Sequence, residues 1–168
     1  MAEPNEPYSP LAVANYFLDL AKSKGAGLDP MKLQKMIYFA HGWHLALYRE
    51  PLINEEVQAW EYGPVVQSVY HEFKSFGADK IEKLATDFDY STRELCTPRI
   101  PLSDQRTIAL LNKIWDIYGG YSGIQLSHLT HAPNSAWSNA RIDNKKNLKF
   151  VGIENDAIEE EFKAKIAK

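Results

Sequence analysis

Two pairs of histidines are the residues in this sequence whose spacing most strongly suggests chemistry. His41 and His44 fall on one predicted helix, and His128 and His131 fall on another. A spacing of i,i+3 places both imidazoles of a pair on the same helical face, where they could bind a transition metal. Two such helices in contact would offer four nitrogens. One hypothesis is therefore a metal-dependent hydrolase.

The residues around the first histidine pair favour a structural role instead. His41 and His44 flank Gly42-Trp43 within an apolar helix. The helix of a typical zinc protease carries its histidines at i,i+4 with a glutamate base between them. Histidines in apolar helices usually hydrogen-bond to backbone or carboxylate groups. The sequence therefore predicts no metal and no cofactor.

Other catalytic motifs give no better support for an enzyme. The single cysteine, Cys96, has no histidine beside it in the sequence, so thiol catalysis would need a tertiary contact. The sequence contains neither a Gly-x-Ser-x-Gly motif nor a glycine-rich phosphate loop. The acidic stretch 154–161 is typical of a helix start, and Asp87 and Asp89 are typical of an exposed loop. These patterns predict a binding protein rather than an enzyme.

Helix start and stop signals predict about six helices that position these residues. Ser9-Pro10 and Asp29-Pro30 each combine an N-cap residue with proline at the first helical position. Further helices are predicted to begin at Pro64, Asp104, Ser122 and Asn155, with one or two more helical turns at 135–141. The second helix is apolar around most of its circumference, so it should be central.

Little β structure is expected. Residues 57–60 could form a brief strand or an extended connector, and 78–101 is predicted to be rich in loops with one short strand pair. We therefore predict a mainly α fold, a compact single-domain helical bundle with a minor β element, covering residues 1–168.

Composition limits the classes of partner. The chain has 168 residues and is 45% hydrophobic, which is enough for a core without disulfides. Its net charge of −3 gives no general attraction to phosphate, so nucleic acid is an unlikely partner. The start of the sequence does not resemble a secretory signal, and no run of 18 apolar residues occurs. We expect a cytoplasmic protein without a membrane partner.

Several short motifs, which we call sequence words, follow one another along the chain. They are KLQKMIYFAHGWHLALY at 32–48, Pro51-Leu52, AWEYGPVV at 59–66, VYHEF at 69–73, QLSHLTH at 125–131 and Trp137. Together these words resemble the Panacea family, also called SocA-like or phage-associated GepA-like proteins. The resemblance extends over about residues 9–137 and leaves 138–168 as a C-terminal extension.

This resemblance implies an antitoxin of a toxin–antitoxin system in a prophage or phage-defence setting. Family members neutralise toxins encoded beside them, commonly by direct protein contact, and these toxins include translation-blocking relatives of alarmone synthetases. One member acts instead as an adaptor that delivers its toxin to the ClpXP protease. Some members carry a helix-turn-helix for promoter binding, for which this sequence leaves no room before its first helix. Direct binding, adaptor activity and metal-dependent hydrolysis are the three hypotheses.

Residues that could contact a partner lie within or beside the matching words. They carry charged or aromatic side chains that a core would not require: Lys32, Lys35, Tyr38, Trp60, Tyr62 and Tyr70. A further group, Lys145, Lys146 and Lys149, could bind an acidic partner or serve solubility alone. The alternative for Tyr38, Trp60 and Tyr70 is packing of the second helix on the third. Because partners vary across the family while the words recur, specificity is predicted to reside in 78–101 and in the segment after Trp137.

Overall fold

The computed structural model describes residues 6–143 and 151–166. Within these residues the fold is mainly α, as predicted, with seven α-helices, one short 3₁₀ helix and two small sheets. In chain order the elements are α1 (Pro10–Ser23), α2 (Pro30–Tyr48), β1 (Val57–Trp60), β2 (Gly63–Val66), α3 (Gln67–Phe73), the 3₁₀ helix (Lys74–Phe76), β3 (Asp87–Asp89), β4 (Glu94–Cys96), α4 (Gln105–Tyr118), α5 (Gly123–Thr130), α6 (Ala136–Asp143), β5 (Gly152–Ile153) and α7 (Asn155–Ile166).

Four helices begin at the predicted capping residues. The side chains of Ser9, Asp29, Asp104 and Ser122 each accept a hydrogen bond from a backbone N–H in the first turn of the helix that follows. Ser122 forms a full capping box, since the side chain of Gln125 accepts in return from the Ser122 N–H. Each cap satisfies a donor that would otherwise lack a partner, which stabilises a helix by about 1 kcal/mol.

Helix α2 is the centre of the fold. It packs against α1, α3, α4, α5, α7 and β2, and its buried residues surround most of its axis. Phe39 stacks on Tyr118 of α4 with ring centroids 4.1 Å apart. On another side, Gly42 lets Phe162 of α7 approach the helix backbone. Helix α7, although it lies beyond the recurring sequence words, therefore contributes to the core.

The larger sheet has the strand order β2-β1-β5 and is antiparallel throughout. Val57 pairs with Val66 on one side and with Ile153 on the other, while Trp60 pairs with Gly63 at the turn. The smaller sheet is the β3–β4 hairpin, which confirms the strand pair predicted within 78–101.

The prediction that Pro64 begins the third helix is wrong. Pro64 lies in β2, an edge strand, and α3 begins at Gln67. A proline is tolerated in an edge strand because its missing N–H faces away from the ladder, so the same residue fits both patterns. Gly63 decides the outcome, since its φ of +120° closes a strand-to-strand turn. Strand β5 was not predicted, because two residues carry no usable alternation.

A buried amide on α1 ties the 78–101 segment to the bundle. Asn15 is 0% exposed, and its side-chain oxygen accepts from the Ala85 N–H at 2.7 Å. Its amide nitrogen donates to the carbonyls of Ala85 at 3.1 Å and Pro98 at 2.9 Å. Both ends of the β3–β4 excursion are thus anchored, and the hairpin between them projects from a fixed base.

Candidate functional site

Four of the sequence-predicted contact residues meet at one pocket of about 400 Å³. Lys35 lines it from α2, and Trp60, Tyr62 and Tyr70 line it from the β1–β2 turn and α3. The remaining lining residues are Pro30, Met31, Gln34, Glu61, Val65 and Gly77. We call this feature the Lys35 pocket. Residues that are distant in the sequence thus come together where α2 faces the larger sheet.

Lys35 is the most unusual residue of the pocket because its charge is buried. The residue is only 1% exposed, and its Nζ donates to the Pro64 carbonyl at 3.3 Å. Within the described residues Lys35 forms no ion pair with a carboxylate. Burial lowers the pKa of the Lys35 ammonium from its ordinary value to about 8. At neutral pH the pocket still holds a positive charge.

The aromatic rim is partly open to solvent. Tyr62 is 64% exposed and Tyr70 is 39% exposed, whereas Trp60 is half-buried. Trp60 and Tyr70 meet edge to face with centroids 4.8 Å apart, and the Trp60 Nε1–H donates to Gln58 Oε1 at 2.8 Å. Trp60 of β1 thus packs on Tyr70 of α3, and this contact leaves part of the aromatic surface available to a partner.

The β1–β2 turn that forms the rim is held from α2, α5 and α6. The side chain of Gln34 on α2 hydrogen-bonds to both backbone groups of Val66. It accepts from the Val66 N–H at 2.9 Å and donates to the Val66 carbonyl at 3.0 Å. Ser127 of α5 donates to the Tyr62 carbonyl at 2.6 Å. Trp137 of α6 donates from Nε1 to the Trp60 carbonyl at 2.7 Å. A turn fixed at so many points needs little ordering when it binds.

Of the five other predicted anchors, two lie outside the pocket lining and three belong to the basic run. Lys32 is half-buried and donates to the Gly119 carbonyl at 2.6 Å, outside the pocket lining. Tyr38 is 1% exposed, and its ring packs on Phe162 of α7. A partner contact by either residue stays a prediction. Lys145, Lys146 and Lys149 lie outside the described residues.

The first histidine pair is built into the core. Both ring nitrogens of His41 are engaged, Nε2 with Asn155 Oδ1 at 2.9 Å and Nδ1 as acceptor for the Leu52 N–H at 3.3 Å. His44 Nδ1 bonds the Glu50 carbonyl at 2.6 Å. These bonds fix α2 to α7 and to the chain after α2, so the structural interpretation of this pair accounts for its contacts.

The second histidine pair is divided between surface and interior. His128 is exposed, whereas His131 stacks on Trp137 with centroids 3.9 Å apart. Burial lowers the pKa of His131, and the nearby Lys35 charge lowers it further. Within residues 6–143 and 151–166, no group of three or more histidine, cysteine or acidic side chains is arranged to hold a metal.

The buried state of His41 predicts acid sensitivity. Burial lowers the pKa of His41 in the folded protein to about 4. In the unfolded chain the histidine has its ordinary pKa of about 6.5, so between these two pH values only the unfolded chain binds the proton. Stability is therefore complete above pH 6.5 and falls as the pH drops toward 4, by about 3 kcal/mol from this residue. Urea denaturation at successive pH values checks this, and His41→Gln should flatten the slope. His128→Gln is the matched exposed control, and an unchanged slope for His41→Gln would contradict the assignment.

The β3–β4 hairpin presents a second apolar surface. Phe88 is 41% exposed, Tyr90 86% and Leu95 75%, and the lone Cys96 is also exposed. Phe88 and Tyr90 contact each other edge to face at 5.0 Å. Exposed aromatic side chains on an anchored hairpin suit protein recognition.

Sequence reasoning missed three residues that shape the pocket. The role of Gln34 was overlooked because it lies in an apolar helix. A polar residue at such a position indicates that its side chain has a hydrogen-bond partner in the core. Gly63 precedes the proline that was assigned to a helix start, although a glycine before an edge-strand proline also suits a tight turn. Trp137 was noted only as the end of a sequence word. Its indole contacts become visible only when α6 lies beside β1.

The fold and pocket define a class of small helical domains that present an aromatic surface around one buried cation. A family model described as Antitoxin SocA-like, Panacea domain, matches residues 33–138. The curated Antitoxin SocA of Caulobacter vibrioides (strain NA1000 / CB15N) is 33% identical over 126 residues, which is 75% of this chain. The chain spans 66% of that relative's length, just under two thirds. No solved structure matches significantly.

These matches place the chain in the SocA-like Panacea antitoxin family, as the sequence words predicted. The family match runs from the first turn of α2 to the first turn of α6 and therefore includes every residue of the Lys35 pocket except Pro30 and Met31. No helix in the described ranges is both long enough and apolar enough to cross a membrane.

Proposed function

We propose that this chain is an antitoxin that neutralises a cognate protein toxin by binding it directly. The observation that carries the proposal is family membership, since the matching family is defined by an antitoxin domain and the curated relative is itself named an antitoxin. Such a role needs a surface that recognises a partner and no turnover chemistry.

The Lys35 pocket supports direct binding as the mechanism. Interface hot spots are enriched in tryptophan, tyrosine and arginine placed around desolvated pockets. Trp60, Tyr62 and Tyr70 supply aromatic surface on a turn that is already held by hydrogen bonds. Little conformational freedom is lost when such a surface docks, which favours tight binding.

The β3–β4 hairpin supports a second contact that selects the partner. Its exposed Phe88, Tyr90 and Leu95 lie inside the 78–101 segment, where specificity was predicted from the sequence. We propose that the pocket provides the contact shared among relatives and that the hairpin distinguishes one toxin from another.

Growth rescue tests the proposed function. We expect the protein encoded by the adjacent reading frame to arrest growth and amino-acid incorporation when expressed alone. Co-expression of this chain should restore both, and the two proteins should co-purify as a stable complex. The proposal is contradicted if neither neighbouring gene product is toxic, or if toxicity persists with this chain present.

Toxin abundance separates direct binding from adaptor activity. A binding antitoxin leaves the toxin level unchanged and still rescues cells that lack ClpXP. An adaptor depletes the toxin and fails to rescue in the absence of ClpXP. Immunoblots of the toxin in both strains are expected to show equal amounts.

A further inference from the structure

We propose that the Lys35 pocket binds an acidic side chain, an Asp or Glu of the toxin, which becomes the counter-ion of Lys35. This inference rests on the proposed function and identifies the chemistry of one toxin contact.

The first argument is the unpaired charge. Lys35 is 1% exposed, and a buried ammonium can donate three hydrogen bonds, of which one, to the Pro64 carbonyl, is made among the described residues. A buried charge without a counter-ion destabilises the free protein, because desolvation is not compensated. A carboxylate entering the pocket would supply both the opposite charge and the missing acceptors.

The second argument is the comparison with Lys165, a half-buried lysine on α7. Lys165 on α7 is accompanied by Glu161, with Nζ and Oε2 3.5 Å apart, and lies over the Phe162 ring at 4.2 Å. Lys165 therefore has its own carboxylate within the chain. Within residues 6–143 and 151–166 Lys35 has no such ion pair, not even with Glu61 of the same pocket, so we infer that the toxin supplies its carboxylate.

The pocket favours a single carboxylate over a phosphate. Only one lysine lines it, and the acidic Glu61 lies on the same rim. The Glu61 carboxylate repels any incoming anion in proportion to its charge, so a phosphate dianion is disfavoured about twice as strongly as a single carboxylate, whose charge Lys35 can balance. The mostly apolar walls, with Met31, Val65 and Trp60, suit the methylene groups of an acidic side chain and its flanking residues.

A side chain fits better than a chain terminus. Terminal carboxylates are usually captured by several converging backbone N–H groups. In the β1–β2 turn Pro64 has no N–H, and the Val66 N–H is already bonded to Gln34. These two residues therefore add no backbone donor for a terminal carboxylate, and the charged donor that the pocket offers is the Lys35 ammonium.

The test uses purified full-length chain and the growth-arresting protein from the adjacent reading frame. Lys35→Met keeps an unbranched side chain one atom shorter and removes its charge, and it should weaken the complex by about 30-fold or more. The matched control is Lys113→Met, which removes one exposed charge on α4 and should leave the affinity within about threefold. The unbound Lys35→Met variant should unfold no more easily than the wild type, since an unpaired buried charge is lost.

A double-mutant cycle identifies the partner group. Each toxin Asp or Glu is changed to Asn or Gln, and one such change should weaken binding to the wild type by a similar factor but have no further effect on Lys35→Met. A toxin extended by one C-terminal residue should bind unchanged, whereas a loss confined to this extended toxin would show terminal capture and overturn the proposal.

The outcomes separate the two proposals. If the wild type rescues growth and binds the toxin while Lys35→Met binds equally well, the pocket inference is wrong and the antitoxin function stands. If the wild type neither rescues nor binds either neighbouring product, the proposed function fails, and this inference fails with it. Equal losses for Lys35→Met and Lys113→Met would indicate general charge attraction and would also overturn the pocket inference.

Discussion

Replacing Phe162 with alanine is expected to lower the free energy of unfolding by about 3–5 kcal/mol. Phe162 is 0% exposed and meets Tyr38, Phe39 and Trp43 of α2 edge to face, with centroids 5.4–6.0 Å apart. The alanine variant would leave a cavity between α2 and α7 that the surrounding rings cannot fill. Because a domain of this size is stable by only about 5–15 kcal/mol, the loss is a large fraction of the total.

Chemical denaturation followed by tryptophan fluorescence measures this change. The matched control on the same helix is Ile166→Ala, since Ile166 is 54% exposed and should change stability by no more than about 0.5 kcal/mol. Phe162→Leu should give an intermediate loss. A cost below about 1 kcal/mol for Phe162→Ala would show that α7 is not part of the core.

Replacing Gly63 with alanine is expected to cost roughly 2–4 kcal/mol. Gly63 has a φ of +120°, which strains any residue with a side chain. A Cβ at this position would lie 2.6 Å from Lys35 Cε and 3.0 Å from Thr130 Oγ1. Lys35 could move only by leaving the Pro64 carbonyl, so the substitution should also distort the rim of the pocket.

The control for Gly63→Ala is Gly25→Ala. Gly25 also has a positive φ, +68°, but no atom lies within 4 Å of the position its Cβ would take. This variant should lose about 1 kcal/mol from backbone strain alone. Denaturation midpoints of the two variants are compared, and equal losses would contradict the close packing of Lys35 against the turn.

Local signals in the sequence were sufficient for most helix boundaries. Ser9, Asp29, Asp104 and Ser122 are capping residues whose partners lie within four positions, so no tertiary information is needed. The strand pair within 78–101 was also predicted from its turn residues. Pro64 was misassigned because the proline signal is shared by helix starts and edge strands, and only pairing with β1 distinguishes them.

The sequence was sufficient to predict which residue types form the pocket, but not that these residues come together in space. Lys35, Trp60, Tyr62 and Tyr70 stood out because charged and aromatic side chains in apolar words suggest binding. Their convergence depends on the long-range hydrogen bonds of Gln34 to Val66 and of Ser127 to Tyr62, which no local pattern encodes. Tyr38 belongs to the same sequence words, but Phe162 of α7 packs on its ring. The position of α7 depends on tertiary packing, which local sequence patterns do not reveal.

The central claim is that this chain neutralises a toxin through direct contact with the Lys35 pocket face. Amide hydrogen exchange of the complex with the growth-arresting neighbour tests it most directly. We expect slowed exchange in residues 60–66 and 87–96 on complex formation, with little change on the exposed side of α4. Protection that leaves the 60–66 turn unaffected, or no complex at all at micromolar concentrations, would contradict the account.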